Sequence, residues 1–341
     1  MTTAPLRLRL DAAALVANWR LLARLSGTAA CGAAVKANGY GLGARGVVQR
    51  LAAAGCRDFF VANWAEARDL ADLGVTVSVL HGLRAEDTAD RPAAARPVLG
   101  TAEQVQRWRQ AGGGACDVMV DTGMNRLGVS PTQVAEGLLD GLAIETLMSH
   151  LVSADEDVDL NARQLAAFSA LAGRTSARRR SLANSSGIAL GAEYHFDLTR
   201  PGIALYGGRQ RGPHAEIAQV VTPEAQILQR RRVLARETIG YNATYTALRD
   251  MEVAILNLGY ADGYLRCFSN KGRALAGDAV LPVVGRVSMD LTAICVDAAP
   301  DLAEGDWVAM AYDLPETAAL SGLSQYELIT GLGARFDRVW G

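Results

Sequence analysis

A chain of 341 residues, 50% hydrophobic and 21% charged, has an ordinary globular composition and is sized for two domains or for one large α/β domain with an appendage. Its net charge of −2 leaves no basic excess to neutralise phosphates, which argues against a nucleic-acid partner. Its apolar stretches break well short of the roughly 18 residues of a membrane span, so no membrane association is expected.

The N-terminal stretch MTTAPLRLRLDAAALVANWR has Asp11 where a secretory signal would carry its apolar core, so the chain is read as cytoplasmic. From residue 29 to 205 short apolar runs alternate with helix-like segments. The runs are AACGAAVKA, DFFVAN, TVSVLHG, RPVLG, CDVMVDTG, IETLMSHL, RRSLANSS and HFDLTRPGIAL. Between several of them lie the amphipathic stretches ARGVVQRLAAAG, AEARDLADLG, TAEQVQRWRQAGG, SPTQVAEGLLDGL and NARQLAAFSALAG, many ending at a glycine that suits a helix C-terminus. Eight strand-then-helix units predict an α/β fold, a (β/α)8 TIM-like barrel over residues 1–215. No GxGxxG follows the first run, which weakens the rival doubly wound sheet as a dinucleotide binder.

Beyond residue 215 the runs AQILQRRRVL, EVAILNLGYAD, RALAGDAVLPVVGRVSMD, TAICVDAA and DWVAMAY are separated by turn residues, predicting a mainly β C-terminal domain over 216–341. A helix is expected from Ser324. Five scattered cysteines lack a CxxC pair and four histidines lack metal-ligand spacing, so neither a disulfide framework nor a metal site is expected.

The lysines are the most informative compositional feature. Of 34 basic side chains only Lys36 and Lys271 are lysines. Arginine stays protonated, whereas a desolvated lysine can act as a nucleophile or base. Lys271 lies in the turn-like SNKGR, but Lys36 ends an apolar run. A barrel gathers functional side chains at the C-terminal ends of its strands. Lys36, Asn63, His81, Arg126, His150, Asn184 with Ser185 and Ser186, and Arg200 with Gly202 fall there in this reading.

AVKANGYGLG resembles the pyridoxal-phosphate lysine motif of the alanine racemases. The match continues in the family's order through VDTGMNRLG, SHLVSADE, NARQLAAF, LANSSG, LTRPGIALYG, IGYNATYTA, GYADGYLR, GRVSMDL and the late QYE, nearly the whole chain. The resemblance implies a homodimer with shared active sites that interconverts L- and D-alanine with pyridoxal phosphate and supplies D-alanine for cell-wall peptidoglycan. It implies that Lys36 binds the cofactor covalently and that Tyr40, Ser185, the amides near Gly202 and Ile203, and Tyr326 take the phosphate. Arg200 then faces the pyridine nitrogen. Because arginine cannot accept a proton there, the ring is a restrained electron sink, which favours reprotonation at Cα over transamination.

Racemisation needs a base on each face of Cα, and the resemblance assigns Lys36 and Tyr260. A tyrosine of ordinary pKa, near 10, is a poor base at pH 7 and needs a helper. The resemblance offers His150, itself polarised by an arginine or by Asp290. Arg126 pairs with the substrate carboxylate or the cofactor phenolic oxygen, and the Met289 backbone lies beside the substrate. Some positions depart from the commoner family text. Met119 stands where many members carry a carbamylated lysine that positions the arginine equivalent to Arg126; here an anion such as chloride or another side chain takes over, or Arg126 is held less firmly. Leu42 stands in place of histidine and Gly39 in place of alanine. A broader amino-acid racemase and a non-catalytic pyridoxal-phosphate-binding protein are the alternatives. The second lacks a counterpart to Tyr260 and GRVSMD.

Overall fold

The computed structural model describes residues 4–88 and 91–341. The chain separates into two compact units, one spanning residues 13–218 and the other made of the N-terminal strand with residues 219–341.

The first unit is an eight-stave parallel barrel. Its first apolar run forms two short strands, Ala30–Cys31 and Ala33–Ala34, interrupted at Gly32, where a Cβ would stand 2.8 Å from the Asp58 carbonyl oxygen and 2.9 Å from the Phe60 ring. Glycine permits that close approach. The staves Asp58–Val61, Thr76–Val79, Ala95–Leu99, Ala115–Met119, Ala143–Met148 and Arg179–Ser181 then follow, each parallel to the one before. Leu198–Thr199 pairs with Ala30–Cys31. It meets Arg179–Ser181 through Asp197 N–H to Arg180 O at 3.0 Å and Arg200 N–H to Ala183 O at 2.9 Å, which closes the barrel. The staves read as almost unbroken apolar runs because both of their faces are covered; Phe59, Phe60, Val61, Val77, Val79, Val98, Leu99, Val118, Leu147 and Met148 are all buried.

The helices follow the sequence signals with three differences, one being that AEARDLADLG is α-helical only within Trp64–Arg68 and continues as the short 3-10 turn Ala71–Leu73. Ala44–Ala54 ends at left-handed Gly55, and Ala102–Gln110 starts where Thr101 Oγ1 accepts from Gln104 N–H at 3.1 Å. SPTQVAEGLLDGL, expected to be helical throughout, is helical only over Pro131–Ala135, because Gly137 takes a φ of 83°. The N-terminal stretch supplies a helix, Ala12–Leu25, that the sequence reading does not list.

The second unit is a mainly antiparallel sheet built on the long strand Val221–Val233. That strand pairs with Leu6–Leu10, Met251–Leu256 and Trp307–Met310. Leu6–Leu10 corrects the expected boundary, since residues 1–215 do not all belong to the barrel. LRLRL alternates with period two, so Leu6, Leu8 and Leu10 are buried while Arg7 and Arg9 reach Glu224 at 2.5 and 2.9 Å. The expected late helix is present as Gln325–Thr330, capped by Ser324 and Glu327, and an unforeseen helix, Leu314–Ser321, precedes it. Among the described residues no helix is long and apolar enough to cross a membrane.

Candidate active site

Lys36 leaves the strand Ala33–Ala34 into a turn of uncommon handedness. Ala37, Asn38, Gly39 and Tyr40 take φ values of 53°, 54°, 63° and 55°. A left-handed conformation costs an L-residue about 1–2 kcal/mol, so the three non-glycine positions need partners. Ala37 N–H donates to Glu66 Oε1 at 2.8 Å, Asn38 Oδ1 accepts from Ala44 N–H at 2.9 Å, and the Tyr40 ring stacks on Tyr206 with centroids 4.7 Å apart. Lys36 itself is half-buried. Burial, and then repulsion from Arg126, lower its pKa below the usual lysine value, with Glu66 pulling the other way.

The phosphate candidates gather on neighbouring staves. Asn184 caps the short helix Ser185–Ile188. The buried Ser185 Oγ accepts from Gly202 N–H at 2.9 Å and Ala204 N–H at 3.3 Å, while buried Ile203 begins the next helical turn. A Cβ on Gly202 would collide with the Tyr40 hydroxyl, so a side chain there would displace the tyrosine. Tyr40, Ser185 and Gly202 thus form one cluster. A partly desolvated lysine of lowered basicity, a serine hydroxyl with main-chain N–H groups, and a tyrosine hydroxyl beside a glycine are a donor set that fits an aldehyde carrying a phosphate.

Arg200 is buried, donating to Ser181 Oγ and, at 2.5 Å, to the Ser149 carbonyl oxygen. Burial moves its pKa down to about 10, against the opposing pull of Asp117, so it remains a cation at neutral pH. Asp117 is fully buried and accepts from Ser78 Oγ at 2.6 Å and Thr146 N–H at 3.0 Å; burial raises its pKa.

His150 is half-buried at the next stave end. Burial and the positive charges of Arg200, Arg126 and Lys36 push its pKa down to about 3, so the imidazole is neutral at pH 7. Asp290, the other polariser considered for it, lies in the β unit and pairs with Arg335 at 2.8 Å. The exposed Arg126 sits in a loop organised by Asp121, which accepts from the N–H groups of Gly123, Met124 and Arg126 at 2.8, 2.9 and 3.0 Å. Burial alone would raise the Asp121 pKa, but these main-chain donors outweigh it and the net shift is downward. Met119 is buried and non-polar, so the loop that carries Arg126 is held through Asp121.

In the β unit, Tyr260 opens a short helical turn. Tyr260 N–H donates to Ser288 O and Ala261 N–H to Met289 O, both at 3.0 Å, and a Cβ on Gly259 would strike the Met289 carbonyl. GYADG and GRVSMD are therefore locked backbone to backbone. The Arg266 guanidinium lies 5.1 Å from the Tyr260 ring centre. Buried Asp262 takes a bidentate pair from Arg335 at 2.6 and 2.9 Å, so Arg335 links Asp262 to Asp290. The Met289 side chain is exposed. Partly exposed Tyr326 is on Gln325–Thr330, and a Cβ on Gly263 would meet the Gly331 carbonyl at that helix's end.

The alanine racemase N-terminal domain model matches residues 10–210 and the C-terminal domain model residues 220–340. An alanine racemase of Acidiphilium cryptum is 42% identical over 350 residues, covering 97% of this chain and 98% of its own. The chain belongs to the alanine racemase family. An alanine racemase of Rhodospirillum rubrum is 43% identical, covering 98% of this chain and 95% of its own. Among solved structures, alanine racemase from Bartonella henselae with covalently bound pyridoxal phosphate is 33% identical, with a TM-score of 0.87 and complete coverage of both chains. The biosynthetic alanine racemase of Pseudomonas aeruginosa is 30% identical, also at a TM-score of 0.87 with complete coverage of both chains.

Within this alanine racemase chain, the structure brings Lys36, Arg126 and Arg200 into electrostatic range of His150, and Arg126 into range of Lys36, and joins Tyr40, Ser185 and Gly202 by contact. Tyr260, Met289 and Asp290 are joined in the β unit. The sequence reading does not single out Glu66, Tyr206, Asp121, Asp117 or Arg335. For Glu66 a signal exists, the Asn63-x-x-Glu66 spacing at a helix start. Asp121 also has a local signal, an aspartate just ahead of the amides it accepts from at Gly123, Met124 and Arg126, whereas Tyr206, Asp117 and Arg335 depend on long-range pairing that no local pattern announces.

Proposed function

We propose that this chain interconverts L- and D-alanine with pyridoxal phosphate by a two-base mechanism. In this reading Lys36 serves one face of Cα and Tyr260 of the partner subunit the other, in a cytoplasmic homodimer that supplies D-alanine for peptidoglycan. Family membership carries the coarse statement: the chain is an alanine racemase and its cofactor is pyridoxal phosphate. The observation that carries the residue assignment is Lys36, a half-buried amine of lowered basicity at a barrel strand end, in a chain with only one other lysine.

Lys36 would hold the cofactor, with Tyr40, Ser185, the amides near Gly202 and Ile203, and Tyr326 on its phosphate. When bound, pyridoxal phosphate supplies electron withdrawal that acidifies the Cα proton. Lys36, its basicity lowered by burial and by Arg126, would take or return that proton. Tyr260 would do the same from the opposite face, with neutral His150 available as a hydrogen-bond partner. Arg200, kept cationic, presents donors only and gives the pyridine nitrogen no proton acceptor. Arg126 suits a carboxylate or a phenolic oxygen through its planar fork, with Met289 and Asp290 beside the substrate. The test is incubation of purified protein with L-alanine in D2O, with serine and other amino acids alongside. Deuterium at Cα together with D-alanine is expected. Absence of D-alanine with cofactor bound would overturn the assignment.

A further inference from the structure

We propose that Glu66 is the positioning residue for Lys36. Its carboxylate spans two amides, accepting from Ala37 N–H at 2.8 Å through Oε1 and from Ala62 N–H at 2.7 Å through Oε2. Ala62 ends the stave Asp58–Val61 and Ala37 directly follows Lys36, so one side chain ties the second stave to the turn that carries the amine.

Glu66 occupies the third position of the helix Trp64–Arg68. A capping-box glutamate there would turn back to the Ncap N–H. Asn63 makes its half of such a box, Glu66 N–H to Asn63 Oδ1 at 3.0 Å, but the Glu66 carboxylate reaches past it to Ala62 and Ala37. The turn it grips has four consecutive left-handed residues, a conformation that persists only where its surroundings dictate it. Losing one anchor frees Ala37 to relax and re-aims Lys36.

The same carboxylate has an electrostatic role. The charged and titratable groups acting on Lys36 and its neighbours are Arg126 and Arg200, both cationic, and neutral His150. Glu66 is the anion that opposes Arg126 at the amine. It limits how far the lysine's basicity falls while fixing where the amine points.

This inference rests on Lys36 as the cofactor lysine, and two lysines in the chain allow the two claims to be separated. The experiment is pH-dependent acetic anhydride labelling of the full-length protein, with and without pyridoxal phosphate, each lysine being read by peptide mass. In Glu66→Gln the Lys36 midpoint should move to lower pH while Lys271 stays put. The cofactor dissociation constant should rise about tenfold in this variant, the equivalent of one charged hydrogen bond. A Lys36 profile superimposable on that of the unmodified protein would overturn the proposal. If Glu66→Gln does not fold, Glu66→Asp serves: it keeps the charge but is one methylene too short for both amides. Its cofactor retention should fall, and retention equal to the unmodified protein would overturn the clamp. Protection of Lys271 by the cofactor, instead of Lys36, would defeat the parent assignment without touching the Glu66 measurement.

Discussion

Tyr40 stacks on Tyr206 at 4.7 Å between ring centroids, and the Tyr206 hydroxyl donates to the Ala34 carbonyl oxygen at 2.8 Å, two residues before Lys36. The ring that positions Tyr40 is thereby fastened to the strand that positions the lysine. The hydroxyl end of Tyr40 faces Gly202, where a Cβ would collide with it.

Gly202→Ala should therefore act through Tyr40. Overpacking of this kind costs about 1–3 kcal/mol, or about 5- to 150-fold in a dissociation constant. Cofactor dissociation measured by dialysis and absorbance should weaken within that range, with a smaller loss of thermal stability. Unchanged cofactor affinity would show that Gly202 and Tyr40 do not share a phosphate site.

Borohydride reduction of the cofactor-loaded protein followed by peptide mapping should place the label on Lys36. Lys271 lies in an exposed turn and should remain unlabelled. A label on Lys271 alone would remove the basis for the assigned site.

Mixing Lys36→Ala and Tyr260→Phe chains tests the shared-site dimer. Each parent should be inactive, and mixed dimers should regain part of the activity, because one of their two sites has both bases intact. No recovery under conditions where subunits demonstrably exchange would count against sites built from two subunits.

Tyr260→Phe keeps the ring and deletes the phenol. Racemisation should fall about 10²–10⁴-fold, the range of a positioned general base. In D2O the variant should still exchange the α-proton of D-alanine through Lys36, without producing L-alanine at a useful rate. Faster exchange of L-alanine than of D-alanine would reverse the assignment of faces.

His150 sets an acid limit on stability. Its pKa falls from 6.5 to about 3 on folding, so below 6.5 the unfolded chain takes up a proton that the folded chain refuses. This contribution is fully present above pH 6.5 and is lost progressively as the pH falls toward about 3. Carboxylates titrate in the same window, so the informative quantity is a difference. Thermal midpoints of His150→Asn should fall less between pH 7 and 4 than those of the unmodified chain. Parallel slopes would mean that the folded imidazole protonates freely.

The alternation of apolar runs and glycine-ended helices determined the barrel, because parallel staves covered on both faces must be apolar and each needs a helical return. The scarcity of lysine singled out Lys36, and the motif order assigned it a role. Both are local properties of the chain. The place of Leu6–Leu10 in the β unit was decided by pairing with strands more than two hundred residues away, which no neighbouring residue encodes. Glu66 bridging Ala37 and Ala62, Asp117 among the staves, and Arg335 joining Asp262 to Asp290 were likewise decided by tertiary structure. In sequence each is one more charged residue. Folding withdraws Asp117 and Asp262 from water, where a charge without partners is too costly to keep, and their partners lie where the fold brings distant segments together.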